Sequence, residues 1–444
     1  VISARTRELG FLLPAAVAGF VGIGSVEVAR SDKLGLGPLP AAVGTLALFL
    51  AMHLVLRWRA PLADPYVLPV VGLLTAIGLV ELDRISPRLA QDQLAWVAVG
   101  AVVFCLVLVV IPDHRVLERY RYLIGLCGVG LLVVTMVFGT RINGARLWIE
   151  LPGGQSVQLG ELAKVLIVIF LAGYLRDKRE VLAIPTRRHL GLALPAVRHF
   201  GPMLVFLGAA LALVAVLNDF GTALLFFGVF LAMIYLATGR LAYAGFGLGL
   251  FALGSIAVWA LVPRIQDRVD NWLHPFSDPQ GQGYQLVQSL YAMAEGGVIG
   301  PGLGRAYLIT DGGHAVIPNL ETDFIFSAIA SDLGYVGGIA VLLLFLVLVA
   351  RGFAIAARAT DGFSKLLAGG LTAVLALQTI LIVGGVIRLV PLTGVTLPFM
   401  SYGGSSVVVN FGLVALLLLI SHRSHAPARA RVPRPAAEPE EAPA

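Results

Sequence analysis

Apolar residues in this chain come in long, nearly uninterrupted runs, and that pattern restricts the fold more than any other feature. A hydrocarbon layer about 30 Å thick is crossed by roughly 17 to 25 helical residues. Inside it every backbone amide and carbonyl must be satisfied within the protein, which leaves helices or closed barrels. About twelve runs meet the helical criterion, at approximately 11–29, 39–56, 66–81, 93–112, 121–139, 161–175, 201–217, 220–238, 244–262, 323–350, 366–388 and 404–421, the third and sixth being short. Hydrophobic residues make up 58% of the 444 residues and charged ones 13%, with a mean hydropathy of +0.88. That balance lies far outside the range of a soluble domain, and it predicts an all-α polytopic membrane protein.

The charge supports a topology rather than a nucleic-acid partner. The net charge is +6, but the basic residues are scattered between apolar runs and form no stripe. An N-terminus in the cytoplasm puts Arg57 and Arg59, Arg115 to Arg121, Arg176 to Arg198, Arg351 to Lys365 and the C-terminal arginines on one side, the positive-inside pattern. Both termini are then cytoplasmic, and the loops 141–160 and 263–322 face outward. Cys105 and Cys127 fall inside apolar runs and read as packing residues, with no disulfide or thiolate metal site implied. The first apolar run has no small-residue cleavage site after it, so no cleavable signal is expected. Residues 423–444, rich in Pro and Ala, read as a disordered cytoplasmic tail. No internal repeat of the kind that builds duplicated-half transporters is visible.

A long polar loop between spans is where chemistry would be housed. It contains Asp278-Pro279-Gln280-Gly281-Gln282-Gly283-Tyr284-Gln285. Asp278 has no obvious helix to cap, whereas Asp219 and Asp323 each precede an apolar run, where capping free amides explains an acid. Glu161 and Lys164 stand three apart on one helical face at the start of a span. They can pair, and a structural salt bridge is as good a reading as a functional one. The eight histidines show no metal-ligand spacing. Gly300 to Gly304 follows no strand and precedes no lysine, so a loop is expected there, not a nucleotide site. Leu286, Leu290 and Met293 predict a short helix over 283–295, lying at the outer interface or packed on the bundle.

The segment from Asp278 to Gln285, then Thr322-Asp323-Phe324-Ile325-Phe326, then Leu397-Pro398-Phe399-Met400-Ser401-Tyr402-Gly403-Gly404-Ser405-Ser406, resembles the SEDS family of RodA and FtsW in order and content. Asn143-Gly144-Ala145-Arg146-Leu147-Trp148-Ile149, Gln158 with Glu161 and Lys164, and Asp219-Phe220-Gly221-Thr222 resemble its other signatures. The resemblance runs from about Asp64 to Ile420. It implies a ten-helix core over 61–422 with the large outer loop 263–322, and two additional N-terminal helices over 1–60, as in actinobacterial members. Departures occur where the family's usual Pro-Glu-x-His reads Pro318-Asn319-Leu320-Glu321, where Gln-Pro-Ser-Glu reads Gln158-Leu159-Gly160-Glu161, and where the Pro before Asp219 is Asn218.

The resemblance implies a peptidoglycan glycosyltransferase that polymerises lipid II on the outer face of the bacterial cytoplasmic membrane. Asp278 is then the candidate catalytic base. Arg146, Lys164, Glu161, Arg305, Tyr284 and Gln285 are candidates for substrate and pyrophosphate binding, and Asp219, Asp323, Ser401, Tyr402, Gly403, Gly404 and Ser405 for shaping the cavity. A divalent cation, Mg2+ or Mn2+, is expected at Asp278 and Glu161. Expected partners are lipid II, the nascent glycan strand and a class B penicillin-binding protein transpeptidase contacting the tenth and eleventh runs and the large loop. A lipid II flippase and a non-catalytic scaffold are the alternatives. The shared motifs do not separate elongation from division, although the N-terminal pair leans toward elongation.

Overall fold

The computed structural model describes residues 4–31, 39–142, 145–150, 155–183, 187–189, 192–194, 201–310 and 313–425. Asn143-Gly144, much of the basic segment before residue 201 and the expected tail from residue 426 lie outside the described residues. Each of the twelve apolar runs coincides with a helix, overrunning it by at most two residues at one end. These are α1 (Ala4–Ser31), α2 (Leu39–Arg59), α3 (Val67–Ile85), α4 (Pro87–Val110), α6 (Arg121–Phe138), α7 (Leu159–Ala183), α8 (Gly201–Val216), α9 (Phe220–Thr238), α10 (Leu241–Leu261), α13 (Ile325–Arg358), α14 (Gly362–Val386) and α15 (Gly404–His425). Among the described residues, nine of these helices are long and apolar enough to cross a membrane. The short helices α5 (Val116–Arg119), α11 (Pro263–Leu273) and α12 (Tyr284–Gly296) complete the set.

Two small sheets qualify the all-α expectation. β1 (Thr140–Ile142), β2 (Ala145–Glu150) and β3 (Ser156–Val157) pair antiparallel in the order β1-β2-β3, within a segment expected only as an outer loop. β4 (Arg187–His189) pairs with β5 (Leu192–Leu194). Alternating Arg146, Trp148 and Glu150 against Ala145, Leu147 and Ile149 is a period-two pattern, and the paired ladder satisfies backbone groups where no helix continues.

The helices alternate in direction and give the bundle two polar ends. α14 and α15 are the most enclosed helices and α10 the least. Small residues permit close approach: a Cβ on Gly78 of α3 would lie 2.6 Å from the Met400 Cα. One end gathers Arg–acid pairs between helix termini, including Arg351 with Asp64, Arg115 with Asp361 and Arg176 with Glu118. The other end carries β1–β3, the loop with Asp278, and the segment 387–403 between α14 and α15.

A break in α13 fixes much of that second end. Gly334, at φ 65°, interrupts the helix, and a Cβ there would clash with the Val298 carbonyl. Tyr335 and Val336 amides donate to the Gly297 and Val298 carbonyls at 2.9 and 3.1 Å. The loop after α12 is therefore inserted into the break. Just before it, Asp332 accepts the Gly304 and Ala306 amides at 3.2 Å each and pairs with the Arg84 Nε at 2.6 Å. α12 itself buries Leu286, Val287, Ser289, Ala292 and Met293 and packs on α13, so of the two expectations for this segment the packed one holds.

Candidate functional site

The first turns of α7 carry Glu161 and Lys164 on one face. Lys164 is 2% exposed, and its ammonium donates to Glu161 Oε2 at 2.6 Å and to Gln378 Oε1 at 3.0 Å. An unpaired buried ammonium would cost several kcal/mol, and these two acceptors offset that cost. Gln378, fully buried in α14, extends the contact: its Nε2 donates to the Thr396 carbonyl at 3.0 Å, and Thr396 Oγ1 donates to Ser406 Oγ at 2.8 Å. Asn410 donates to the same Ser406 oxygen at 3.3 Å, while its own Oδ1 has no hydrogen-bond partner. Ser405 Oγ accepts the Gln158 amide at 2.8 Å. The buried cation is thus tied through side chains to the segment 396–410.

That segment is itself held by backbone contacts. Ser401 Oγ donates to the Thr322 carbonyl at 2.6 Å and accepts the Leu397 amide at 2.9 Å. The Tyr402 amide donates to the Glu321 carbonyl at 2.8 Å. Gln93 of α4 donates to the Ser401 carbonyl at 3.1 Å and accepts the Gly403 amide at 3.2 Å. Gly404 lies against the Trp96 ring, where a Cβ would not fit. Asp219 caps α9, accepting the Thr222 amide at 3.0 Å, and Gly221 lies hard against the Thr393 carbonyl. A Cβ on Gly394 would stand 3.9 Å from Asp323 Oδ2. The structure therefore brings 158–164, 219–222, 321–323 and 393–406 to one place.

Two of the carboxyls here are perturbed. Burial pushes Asp323 up to about 6, the Arg268 guanidinium opposing and Glu321 adding to the rise. Burial also raises Asp219, against its Thr222 hydrogen bonds and Arg268, with Glu161 adding. Arg268, on α11, acts electrostatically on both. Sequence reading missed it, as it missed Gln378. A lone amide in the apolar run of α14 is the signal that could have found the glutamine.

All four non-glycine residues with positive φ among the described residues lie at this end: Asn218 (60°), Asn319 (57°), Arg388 (63°) and Phe399 (67°). Asparagine tolerates that region, whereas for a bulky residue such as Phe399 it stores strain. Phe399 is held there by burial and by an edge contact with Phe411 at 5.7 Å.

Asp278 is exposed, on the loop between α11 and α12. Its Oδ1 accepts the Gly281 amide and Oδ2 the Gln282 amide, each at 3.0 Å, closing its own turn rather than capping a helix. Gly283 packs so tightly on the Pro275 carbonyl that no side chain fits. Tyr284 donates its hydroxyl to the Val316 carbonyl at 3.2 Å, and Gln285 is half-buried beside it. Among the described residues no hydrogen bond or ion pair joins Asp278 to the Lys164 cluster. Arg146, on β2, donates Nη1 to the Met136 carbonyl at 3.0 Å, a helix-end contact, and its amide reaches the Leu217 carbonyl at 3.2 Å beside Asp219. Arg305 is exposed in the glycine-rich turn beneath Asp332, with Gly304 against Ala29 of α1, and among the described residues no hydrogen bond or ion pair links it to the Lys164 cluster.

The residues do not furnish a cation cage by themselves. Among the described residues no group of three His, Cys, Asp or Glu side chains is placed to hold a metal ion. Glu161 is engaged with Lys164, and both Asp278 oxygens accept amides. Hard divalent cations need about six oxygen ligands.

A family model described as cell cycle protein, FtsW/RodA/SpoVE, matches residues 62–426. The chain belongs to this family. Peptidoglycan glycosyltransferase RodA of Mycobacterium tuberculosis is 39% identical over 441 residues, covering 96% of this chain and 92% of that protein. Stage V sporulation protein E of Bacillus subtilis is 34% identical over 338 residues, 76% of this chain and 87% of that one. A chain of a peptidoglycan synthase complex, solved for its coordination of polymerization and crosslinking, matches with TM-score 0.67 at 26% identity, over 82% of this chain and 99% of that chain. Rod shape determining protein RodA of Thermus thermophilus matches with TM-score 0.57 at 25% identity, over 81% and 97%. In this FtsW/RodA/SpoVE chain, two departures from the pattern its motifs resemble, Asn218 and Asn319, both occupy left-handed positions. Proline could not adopt the first.

Proposed function

We infer that this chain is a peptidoglycan glycosyltransferase of the RodA type, polymerising lipid II into glycan strands. The observation that carries the reading, beside family membership, is the fully enclosed Lys164 held by Glu161 and Gln378 where four motif segments meet. The donor is an α-linked sugar pyrophosphate and the product a β-linkage, so one inverting displacement suffices. The acceptor 4-hydroxyl oxygen bonds to the donor anomeric carbon, and the bond to the pyrophosphate oxygen breaks with its electron pair. The proton passes to Asp278, whose carboxylate is exposed and pre-oriented by two amides. A pyrophosphate leaving group needs positive charge rather than a second carboxyl acid, unlike the two-carboxylate glycosidases. Lys164 supplies that charge, with Arg146 and Arg268 beside Asp219 as further cations. Tyr284 and Gln285 open α12 next to Asp278 and are assigned to substrate contact, and Arg305 to the outer mouth. Asp219, Asp323 and Ser401 to Ser405 are assigned to shaping the cavity; the side chains of Asp219, Ser401 and Ser405 accept backbone amides. Mg2+ or Mn2+ is assigned no step, because among the described residues no three acidic, His or Cys side chains are placed together to hold it.

The reading includes twelve spans: a core over 61–422, and α1 with α2 as an added N-terminal pair over 1–60. In its support, the family model begins at residue 62, and the Glu8–His53 and Arg351–Asp64 pairs lie side by side where pair and core meet. The Asp278 end faces out, both termini and residues 423–444 face the cytoplasm, and a class B penicillin-binding protein transpeptidase docks on α13, α14 and the large loop. A flippase would need polar groups along a path to both ends, whereas the enclosed polar chain from Lys164 to Asn410 serves one. The test is lipid II polymerisation by purified protein with its transpeptidase, native against Asp278→Asn. Glycan from the native chain that disappears in the variant is expected; equal glycan from both would remove Asp278 from the mechanism.

A further inference from the structure

α11 has little to hold it. Its packing partners are α10 and the turn 275–277, and α10 is the least enclosed helix of the bundle. Yet α11 carries Arg268, which acts on Asp219 and Asp323, and five residues beyond its last residue, Leu273, comes Asp278. Along it Gln266 Nε2 donates to the Trp259 carbonyl at 2.9 Å and Asn271 Nδ2 to Gln282 Oε1 at 3.4 Å, and its last turn is fastened by a residue from a distant segment. Arg388, just after α14, donates Nε and Nη2 to the Trp272 carbonyl at 3.2 and 3.0 Å, and Nη2 to the Leu273 carbonyl at 3.0 Å. The Trp272 indole N–H returns a bond to the Arg388 carbonyl at 2.9 Å. These are carbonyls that the last turn of α11 leaves unpaired, at the negative end of its dipole, where a guanidinium fork fits best.

The Arg388 backbone is itself unusual. It sits at φ 63°, a conformation that strains a non-glycine residue and persists only where its surroundings hold it. Glycine would sit there without strain but would have no guanidinium. The Arg388, Leu389 and Val390 amides all turn back onto Gly384 and Gly385 carbonyls at 3.2, 2.7 and 3.2 Å, so the clamp is seated on the rigid end of α14. α14 is also the helix that supplies Gln378 to Lys164. One helix therefore fixes the buried cation at one point and the strap bearing Arg268 at another.

We propose that Arg388 is a positioning residue for the transfer reaction, clamping α11 through Trp272 and Leu273 so that Arg268 and the Asp278 loop are held in register with the Lys164 cluster. The proposal rests on the glycosyltransferase reading. It acts on turnover rather than on recognition, because a group displaced by about 1 Å can cost about a hundredfold in rate while leaving binding determinants in place.

The full-length protein with its transpeptidase is tested as Arg388→Ala, Arg388→Lys, Trp272→Phe and the Trp272→Phe/Arg388→Ala double variant, reading lipid II turnover and backbone hydrogen exchange. Arg388→Ala is expected to lower kcat about tenfold or more with KM within about twofold. Exchange should rise over 264–277 and stay native over α12 and α13. Arg388→Lys should recover part of the turnover, Trp272→Phe should lose less than Arg388→Ala, and the double variant should match Arg388→Ala, because the two residues act through one contact. Native turnover in Arg388→Ala, exchange rising equally through α12 and α13, or a double variant with multiplied losses would each overturn the proposal. If the native chain makes no glycan, the glycosyltransferase reading fails by itself, and the exchange pattern alone then decides whether the clamp exists.

Discussion

The two ends of the bundle hold their charges on different backbone. At the basic end the charges are numerous and paired across helix termini: Arg115 with Asp361 at 2.9 Å, Arg176 with Glu118 at 2.7 Å, and Arg351 with Asp64, the arginine also lying 4.9 Å from the Tyr66 ring. Most of these arginines reach solvent, and such pairs contribute about 0–1 kcal/mol each. Both ends also enclose charge, Arg5, Glu8 and Asp64 at the basic end and Glu161, Lys164, Arg84 and Asp332 at the Asp278 end, but among the described residues all four left-handed non-glycine residues lie at the Asp278 end. One end ties helix termini together with ion pairs, while the other adds backbone strain where segments from four parts of the chain meet. Strain and buried charge are tolerated where function needs them.

Breaking backbone fit at the two ends should give unequal results. Gly283→Ala puts a methyl onto the Pro275 carbonyl. It should abolish most turnover, about a hundredfold, while the thermal midpoint in detergent falls only modestly. Gly362→Ala, at the basic end, meets only the Arg176 side chain, at 3.2 Å, and should leave turnover per folded molecule unchanged.

Asn218 sharpens the contrast further. Proline, which the family pattern leads one to expect there, cannot reach φ 60°, so Asn218→Pro should lower stability by about 3 kcal/mol by thermal or denaturant melting. Asn218→Gly should be neutral or gain up to about 1 kcal/mol. A tolerated proline would mean the turn before Asp219 is not left-handed.

Asp323 gives the pH dependence. Its folded value, about 6, exceeds the ordinary 3.8, so the folded state holds this proton more tightly. The associated stability is full below pH 4 and is lost as pH rises through 6. Asp323→Asn should therefore raise the thermal midpoint relative to the native chain above pH 6, and the gain should vanish below pH 4. The smallest effect is expected from Arg115→Ala, a half-exposed pair, at under about 1 kcal/mol in the same melt.

The sequence made some of this legible and hid the rest for physical reasons. Apolar runs are visible because a bilayer tolerates little else, so each run became a helix, and α7 extends past its apolar part to Ala183 because helix continues into water. Glu161, Lys164, Asp219 and Asp323 were readable as charges beside spans. α11 could have been found, since Ile265, Val269, Trp272 and Leu273 recur at helical spacing. The clamp could not: Arg388 and Trp272 are 116 residues apart and nothing local couples them. Asp332 with Arg84 was equally hidden, because each reads as an ordinary charge near a span end until the break at Gly334 brings the loop between them.

The account stands or falls on one matched pair, Lys164→Met and Arg351→Met, assayed for lipid II polymerisation per folded molecule. Each removes a cation from a buried carboxylate, at opposite ends of the bundle. The account predicts that Lys164→Met loses turnover by about a hundredfold or more while remaining folded, and that Arg351→Met melts earlier yet polymerises normally. Equal turnover in both variants, or loss only in Arg351→Met, would contradict it.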